Sequence, residues 1–167
     1  MGNLAGVPFS TPARPRFVND ATKSAVAADV QVGVSLCMVT NMTRSLAFWI
    51  DGLGFTVKNK WVVDDKIRWC WLERGTAAIM LQEYGEAQAA MLTGQTLGLG
   101  VQIYFQSTDA VALYREFKTR GIDVSEPQVG NGNWEIFLRD PDGYKVAFCS
   151  PTDVPEETKL SELKKPS

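Results

Sequence analysis

Read by its apolar and polar positions, the chain falls into two stretches that repeat one order of elements, with aperiodic segments around them. Val32 to Val39 is a nearly continuous apolar run, which predicts a buried strand. Asn41 or Thr43 then offers the cap of a helix carrying Leu46, Phe48, Trp49 and Ile50, stopped at Gly52 and Gly54. Three strands should follow: Phe55 to Val63, ending at Asp64-Asp65, then Ile67 to Glu73, ending at Gly75, then Ala77 to Glu83.

The second stretch reads the same way. Leu99 to Gln106 predicts a strand, and Thr108 or Asp109 caps a helix with Val111, Leu113, Tyr114 and Phe117 that stops at Gly121. Ile122 to Val129 and Trp134 to Leu138 flank the hairpin signal Gly130-Asn131-Gly132-Asn133, and Tyr144 to Cys149 follows the turn Asp140-Pro141-Asp142-Gly143. Gly54-Phe55-Thr56-Val57 falls on Gly121-Ile122-Asp123-Val124, and Leu46 on Leu113, at one constant offset. The predicted class is α+β, with two tandem βαβββ modules, 31–84 and 98–150, forming a curved mixed sheet around a shared cavity with helices outside. One βαβββ unit leaves a sheet face uncovered, so the hollow between two is where function is expected.

Outside the repeats, 1–30 carries Pro8, Pro12 and Pro15 among small and polar residues and reads as a flexible arm. The link 84–98 is rich in Gly and Ala and has room for a short helix. The charged tail 151–167 predicts an exposed helix from Glu156 to Lys164, acidic early and basic late. The single domain is expected over 31–150.

Composition narrows the function. A net charge of −2 gives no field for a polyanion, so nucleic acid is not expected as a partner. No run approaches the ~20 apolar residues that span a bilayer, so no membrane association is expected. Cys37, Cys70 and Cys149 sit in apolar runs with no CxxC spacing, which suits a reducing cytoplasm and not a disulfide framework. Histidine is absent altogether.

The series Ser45-Leu46-Ala47-Phe48-Trp49, Gly52-Leu53-Gly54-Phe55, Ala112-Leu113-Tyr114-Arg115-Glu116-Phe117, Gly121-Ile122 and Arg139-Asp140-Pro141-Asp142-Gly143-Tyr144 resembles the vicinal oxygen chelate superfamily of glyoxalases, bleomycin-resistance proteins and extradiol dioxygenases. The resemblance covers about residues 32 to 150. Catalytic members hold a divalent metal on the first and last strands of each half, and carrying those positions over puts them at Val34, Met80, Gln102 and Ala147. Only Gln102 could ligate, so no metal, no cofactor and no catalytic residue is expected. Metal-free members resemble antibiotic-sequestering proteins, and the resemblance implies that branch.

Strand alternation supplies the other site candidates. Trp69 and Trp71 share one face, Gln102, Tyr104 and Gln106 share another, and Gln82 and Trp134 are placed with them. Aromatic walls stack a flat ligand, and neutral amides orient its polar groups. Of the carboxylates near the strands, Glu73, Glu83 and Glu135, Glu83 has the parity that faces away from the hollow. Cys149 shares the face of Ala147 with Lys145 as its nearest cation, but without a histidine to activate it, a buried structural cysteine is expected. Arg115, Glu116, Lys118 and Arg120, with Lys58, Lys60 and Lys66, read as solvated faces.

The resulting expectation is metal-independent binding of a small planar or aromatic molecule by a homodimer, through Trp69, Trp71, Gln82, Gln102, Tyr104 and Trp134. Two rival readings are a glyoxalase-like lyase, isomerase or dioxygenase with atypical ligands, and a dimerisation module with no ligand.

Overall fold

The computed structural model describes residues 32–92, 95 and 97–163. The predicted arm lies outside the described residues, apart from its junction at Val32. Module one runs β1 (Ser35–Val39), α1 (Met42–Leu46), a π-helical continuation (Ala47–Gly52), β2 (Thr56–Val63), β3 (Lys66–Arg74) and β4 (Ala77–Glu83). After α2 (Glu86–Leu92) in the link, module two runs β5 (Gln102–Gln106), α3 (Ala110–Thr119), β6 (Gln128–Gly130), β7 (Asn133–Arg139) and β8 (Lys145–Pro151). The α+β class and the two βαβββ modules are as the repeat predicts.

Local chemistry sets the boundaries. The Asn41 side chain accepts the Arg44 N–H and the Asp109 side chain accepts the Ala112 N–H, so each helix starts at a capped residue. The β2–β3 hairpin turns at Asp64 and Asp65, both at positive φ, and the β6–β7 hairpin at Asn131 and Gly132, also at positive φ. Gly54 and Gly121, equivalent by the repeat, leave the helices at φ 73° and 77°, a conformation that side chains with a Cβ disfavour.

Four elements differ from the sequence reading, the first being β1, which starts at Ser35 rather than Val32 and is exposed over its first two residues. β5 begins three residues late because Gly98 and Gly100, both at positive φ, hold the preceding chain in turns. The expected strand Ile122 to Val129 shrinks to Gln128–Gly130 and one bridge between Val124 and Leu138, since Pro127 has no N–H for a ladder. Over its described residues, through Leu163, the tail is not the helix expected from Glu156 to Lys164. It pairs with the β6 edge, Val129 N donating to Thr158 O at 2.9 Å and Leu160 N to Pro127 O at 3.0 Å, and only Leu160–Glu162 forms a 3₁₀ turn. Val154 and Leu160 pack on the Ala110, Val129 and Trp134 cluster, an apolar contact that an exposed helix would forgo.

Each module makes its own four-stranded sheet, in the orders β1-β4-β3-β2 and β5-β8-β7-β6, and the two are not hydrogen-bonded into one. Their helix-facing sides share a core: Cys37, Val39, Cys70, Leu72, Ile79 and Leu81 from the first, Ile103, Phe105, Ile136, Leu138, Val146 and Phe148 from the second. Trp49 lies at its centre, edge-on to Phe55 at 5.2 Å and to Phe105 of the other module at 6.3 Å. At Gly52 the modules come so close that a Cβ would meet the Ile122 side chain at 2.5 Å. One helix-side core joins both sheets, and their other faces lie outside it. The curved sheet expected from the repeat is thus two separate four-stranded sheets that do not close on one another.

Two polar clasps tie the modules. Arg74 of β3 donates to the Leu53 carbonyl, pairs with Glu116 of α3 at 2.8 Å and lies over the Phe117 ring, while Arg120 holds the other Glu116 oxygen at 2.9 Å. The Arg74 hydrogen bond in particular holds the Glu116 carboxyl below its ordinary range. Glu116 and Arg120, expected only on a solvated face, are thus inter-module contacts, Arg120 by donating to the Asp51 carbonyl of module one at 3.4 Å. In the second clasp, buried Asp142 of the Asp-Pro-Asp-Gly turn reaches module one. It accepts from Thr40 N at 3.2 Å, Arg44 at 3.0 Å, Ser45 Oγ at 3.3 Å and the Thr40 hydroxyl. Asp140 beside it accepts the Asp142 and Tyr144 N–H groups on one oxygen and leaves the other buried without a partner. Burial pushes the Asp140 carboxyl up to about 6.

These clasps yield two expected outcomes. The folded-state value of Asp140 lies above its unfolded one, so its favourable contribution is complete below about pH 4 and is lost as pH rises through about 6. Asp140→Asn keeps the oxygen acceptor and should raise the melting temperature at pH 8 while flattening the pH 4–7 profile. A variant melting lower than the parent at pH 8 would contradict this. Asp142→Ala strands several donors and should cost about 2–4 kcal/mol in urea unfolding.

Candidate functional site

Register assigns the open face of the first sheet. Leu36 pairs with Met80, Met80 with Trp71 and Trp71 with Asn59, forming one row across four strands. Met38, Gln82, Trp69 and Trp61 form the next row. Trp69, Trp71 and Gln82 are therefore neighbours, as alternation predicts, and Met80 lies among them. Trp61, 57% exposed, completes the wall. Sequence alternation alone did not assign it, because β2 bulges between Val57 and Asn59 and again after Trp61, which resets the parity. The Trp71 indole N–H donates to Glu73 at 2.9 Å, fixing that ring, and Lys58 lies 3.7 Å from the same carboxylate.

On the open face of the second sheet, Tyr104 pairs with Ala147 and Ala147 with Phe137. The Tyr104 and Phe137 rings meet edge to face at 6.5 Å. Gln102, Lys145 and Arg139 form the row on one side, and Gln106, Cys149, Glu135 and Gln128 the row on the other. Phe137 was legible in principle, since it alternates with the buried Ile136 and Leu138. Burial raises the Tyr104 hydroxyl, the Glu135 carboxyl and the Cys149 thiol above their ordinary values, with neighbouring negative charge adding to each. A thiol held protonated beside a carboxylate is a poor nucleophile.

Trp134 does not join this group. Its register partners are Val129 and Ser150, it is 8% exposed, and it packs on Ala110 at the start of α3, on the helix side of the sheet. The tight Asn131-Gly132 hairpin fixes β7 so that Trp134 points inward and Glu135 outward. Glu83 also faces the helix side, where its carboxylate accepts the Met42 N–H at 2.9 Å and pairs with Arg68. A separate cleft of about 620 Å³, floored by Phe55, Phe105 and Phe148, opens between the modules on the helix side and contains none of the expected site residues.

The donor set does not fit the divalent metal of the superfamily's catalytic members. Val34 and Ala147 have no donor atom, Met80 offers a thioether and Gln102 one amide, and Met80 and Gln102 belong to different sheets. Among the described residues no group of three Cys, Asp or Glu side chains is placed to hold an ion. No helix among them is long and apolar enough to cross a membrane.

Comparison with known proteins agrees with the architecture. A putative glyoxalase family protein from Bacillus anthracis superposes with a TM-score of 0.59 at 15% identity, covering 76% of this chain and 100% of that one. A bleomycin-binding protein solved with bleomycin gives 0.58 at 18% identity, covering 72% and 98%. TnmS3, an antibiotic binding protein from Streptomyces sp. CB03234, gives 0.56 at 15%, covering 75% and 100%. A search of curated proteins found no match. At these identities the structural likeness speaks for the fold alone, whereas the sequence profile of a single family spans residues 31–148. The chain therefore belongs to the Glyoxalase/Bleomycin resistance protein/Dioxygenase superfamily.

Proposed function

We propose that this protein binds a small planar or aromatic molecule without a metal, in a groove formed when two copies bring the first-sheet face of one against the second-sheet face of the other. The observation that carries this reading is the wall of exposed Trp61 and half-buried Trp69 and Trp71 around Met80 and Gln82, where catalytic relatives would keep a metal ligand. Two neighbours in fold are described as antibiotic-binding or bleomycin-binding proteins, which supports a sequestering role here.

The arrangement of the two sheets in the single chain supports a homodimer. Trp69, Trp71 and Gln82 lie on one sheet and Gln102 and Tyr104 on another that is not hydrogen-bonded to it, so a second copy is a ready source of the facing wall. Exposed Trp61, Val62, Leu36, Tyr104 and Phe137 form apolar surface on both sheets that pairing would remove from water. Three buried free cysteines suit a reducing cytoplasm, which we propose as the compartment.

Tryptophan fluorescence titrated with flat aromatic compounds tests the binding reading. A saturable change is expected, and Trp69→Ala or Trp71→Ala should weaken the tightest binder about tenfold, since a lost stacking contact plus its buried area is about 1.4 kcal/mol or more. No saturable response to any compound would favour a dimerisation module with a filled interface. Chelator dialysis should leave affinity unchanged, whereas zinc, nickel, iron or manganese retained in stoichiometric amount would favour a metal-dependent lyase, isomerase or dioxygenase.

A further inference from the structure

One end of the second sheet carries a charge arrangement that packing does not explain. Gln102 is the register partner of Lys145, and Lys145 is that of Arg139, so two cations stand directly opposite each other on adjacent antiparallel strands. Like charges in that relation repel. Among the described residues neither has a carboxylate within ion-pair distance. Arg139 donates one N–H to the Gly143 carbonyl at 3.2 Å, which steadies the guanidinium without neutralising it.

These side chains line a cleft of about 580 Å³. Its other wall is Ser125 and Asp123. The Ser125 oxygen accepts the Phe137 N–H at 2.9 Å, which leaves its own proton free to donate into the cleft. Asp123 is the single carboxylate on the wall against two cations, so the cleft is net positive in a chain that is net negative. The neighbouring row on the same face is Tyr104, Ala147 and Phe137, two aromatic rings around a small flat floor. Adjacent rows on one face lie about 7 Å apart, two residues along a strand.

We infer that the molecule bound in the groove is an aromatic acid, its ring system against Tyr104 and Phe137 and its carboxylate held by Lys145 and Arg139, with Gln102 and Ser125 as neutral donors. This rests on the groove reading above and adds the chemical class of the ligand. An arginine fork beside a lysine suits a carboxylate. Without a ligand the two cations only repel. Bound, they share an anion.

Isothermal titration of the full chain at low salt with 2-naphthoate and its neutral isostere 2-naphthamide provides the test. Naphthoate is expected to bind at least tenfold tighter, an advantage that shrinks with added salt. Lys145→Gln with Arg139→Gln should bring naphthoate down to the level of naphthamide in a protein whose melting curve stays cooperative. Equal affinity of the parent for both compounds would overturn the anionic subsite and leave the groove reading standing. Failure of both to bind would overturn the two together. A naphthoate preference that survives the double substitution would put the charge recognition elsewhere and overturn the assignment. If the substitutions instead alter the salt dependence of dimerisation and leave naphthoate affinity as it was, the cations face a carboxylate of a second copy and the inference fails.

Discussion

The structure depends on one core that two modules use jointly. Trp49 and Phe117, each fully buried, come from the helical segments of different modules, and the sheets close on them from opposite sides. Neither βαβββ unit could bury its helix so completely alone. The same packing leaves the remaining sheet faces outside the core. Everything proposed about binding follows from that: two half-sites, one rich in indole and thioether, the other carrying phenol, phenyl, amide and positive charge.

The modules are held in register by polar contacts at two places in the shared interface. The Arg74, Glu116 and Arg120 group, and Asp142 among Thr40, Arg44 and Ser45, each join residues distant in sequence. Such contacts add modestly to stability but penalise alternative packings, since a slipped interface would strand buried charge. Two costs are visible. The Trp49 indole N–H and one Asp140 oxygen are buried without partners, and both lie where elements of the two modules meet.

Much of this was legible in the chain. The period-two alternation of β3 placed Trp69 and Trp71 together, and the 67-residue repeat from Gly54 to Gly121 predicted equivalent glycine stops after the two helices, where the structure has φ 73° and 77°. What escaped was set by partners rather than by local pattern. Trp134 looks like its neighbours in composition, but only the hairpin register decides which side it faces. Trp61 sits between bulges that no alternation rule anticipates. Asp142 reads as a turn residue until the other module supplies the donors around it, and Lys145 reads as a surface lysine until Arg139 is found opposite.

The account turns on whether each groove is built from two chains. A complementation experiment measures this directly: one variant with Trp69→Ala and Trp71→Ala, another with Tyr104→Ala and Phe137→Ala, unfolded together and refolded at equal amounts. In random pairing half the dimers are mixed, and each mixed dimer holds one groove with both walls intact, so the mixture should recover about a quarter of the parental binding capacity although neither variant binds alone. No recovery from a mixture shown to contain mixed dimers would mean that each site is completed within one chain, and the account would be wrong.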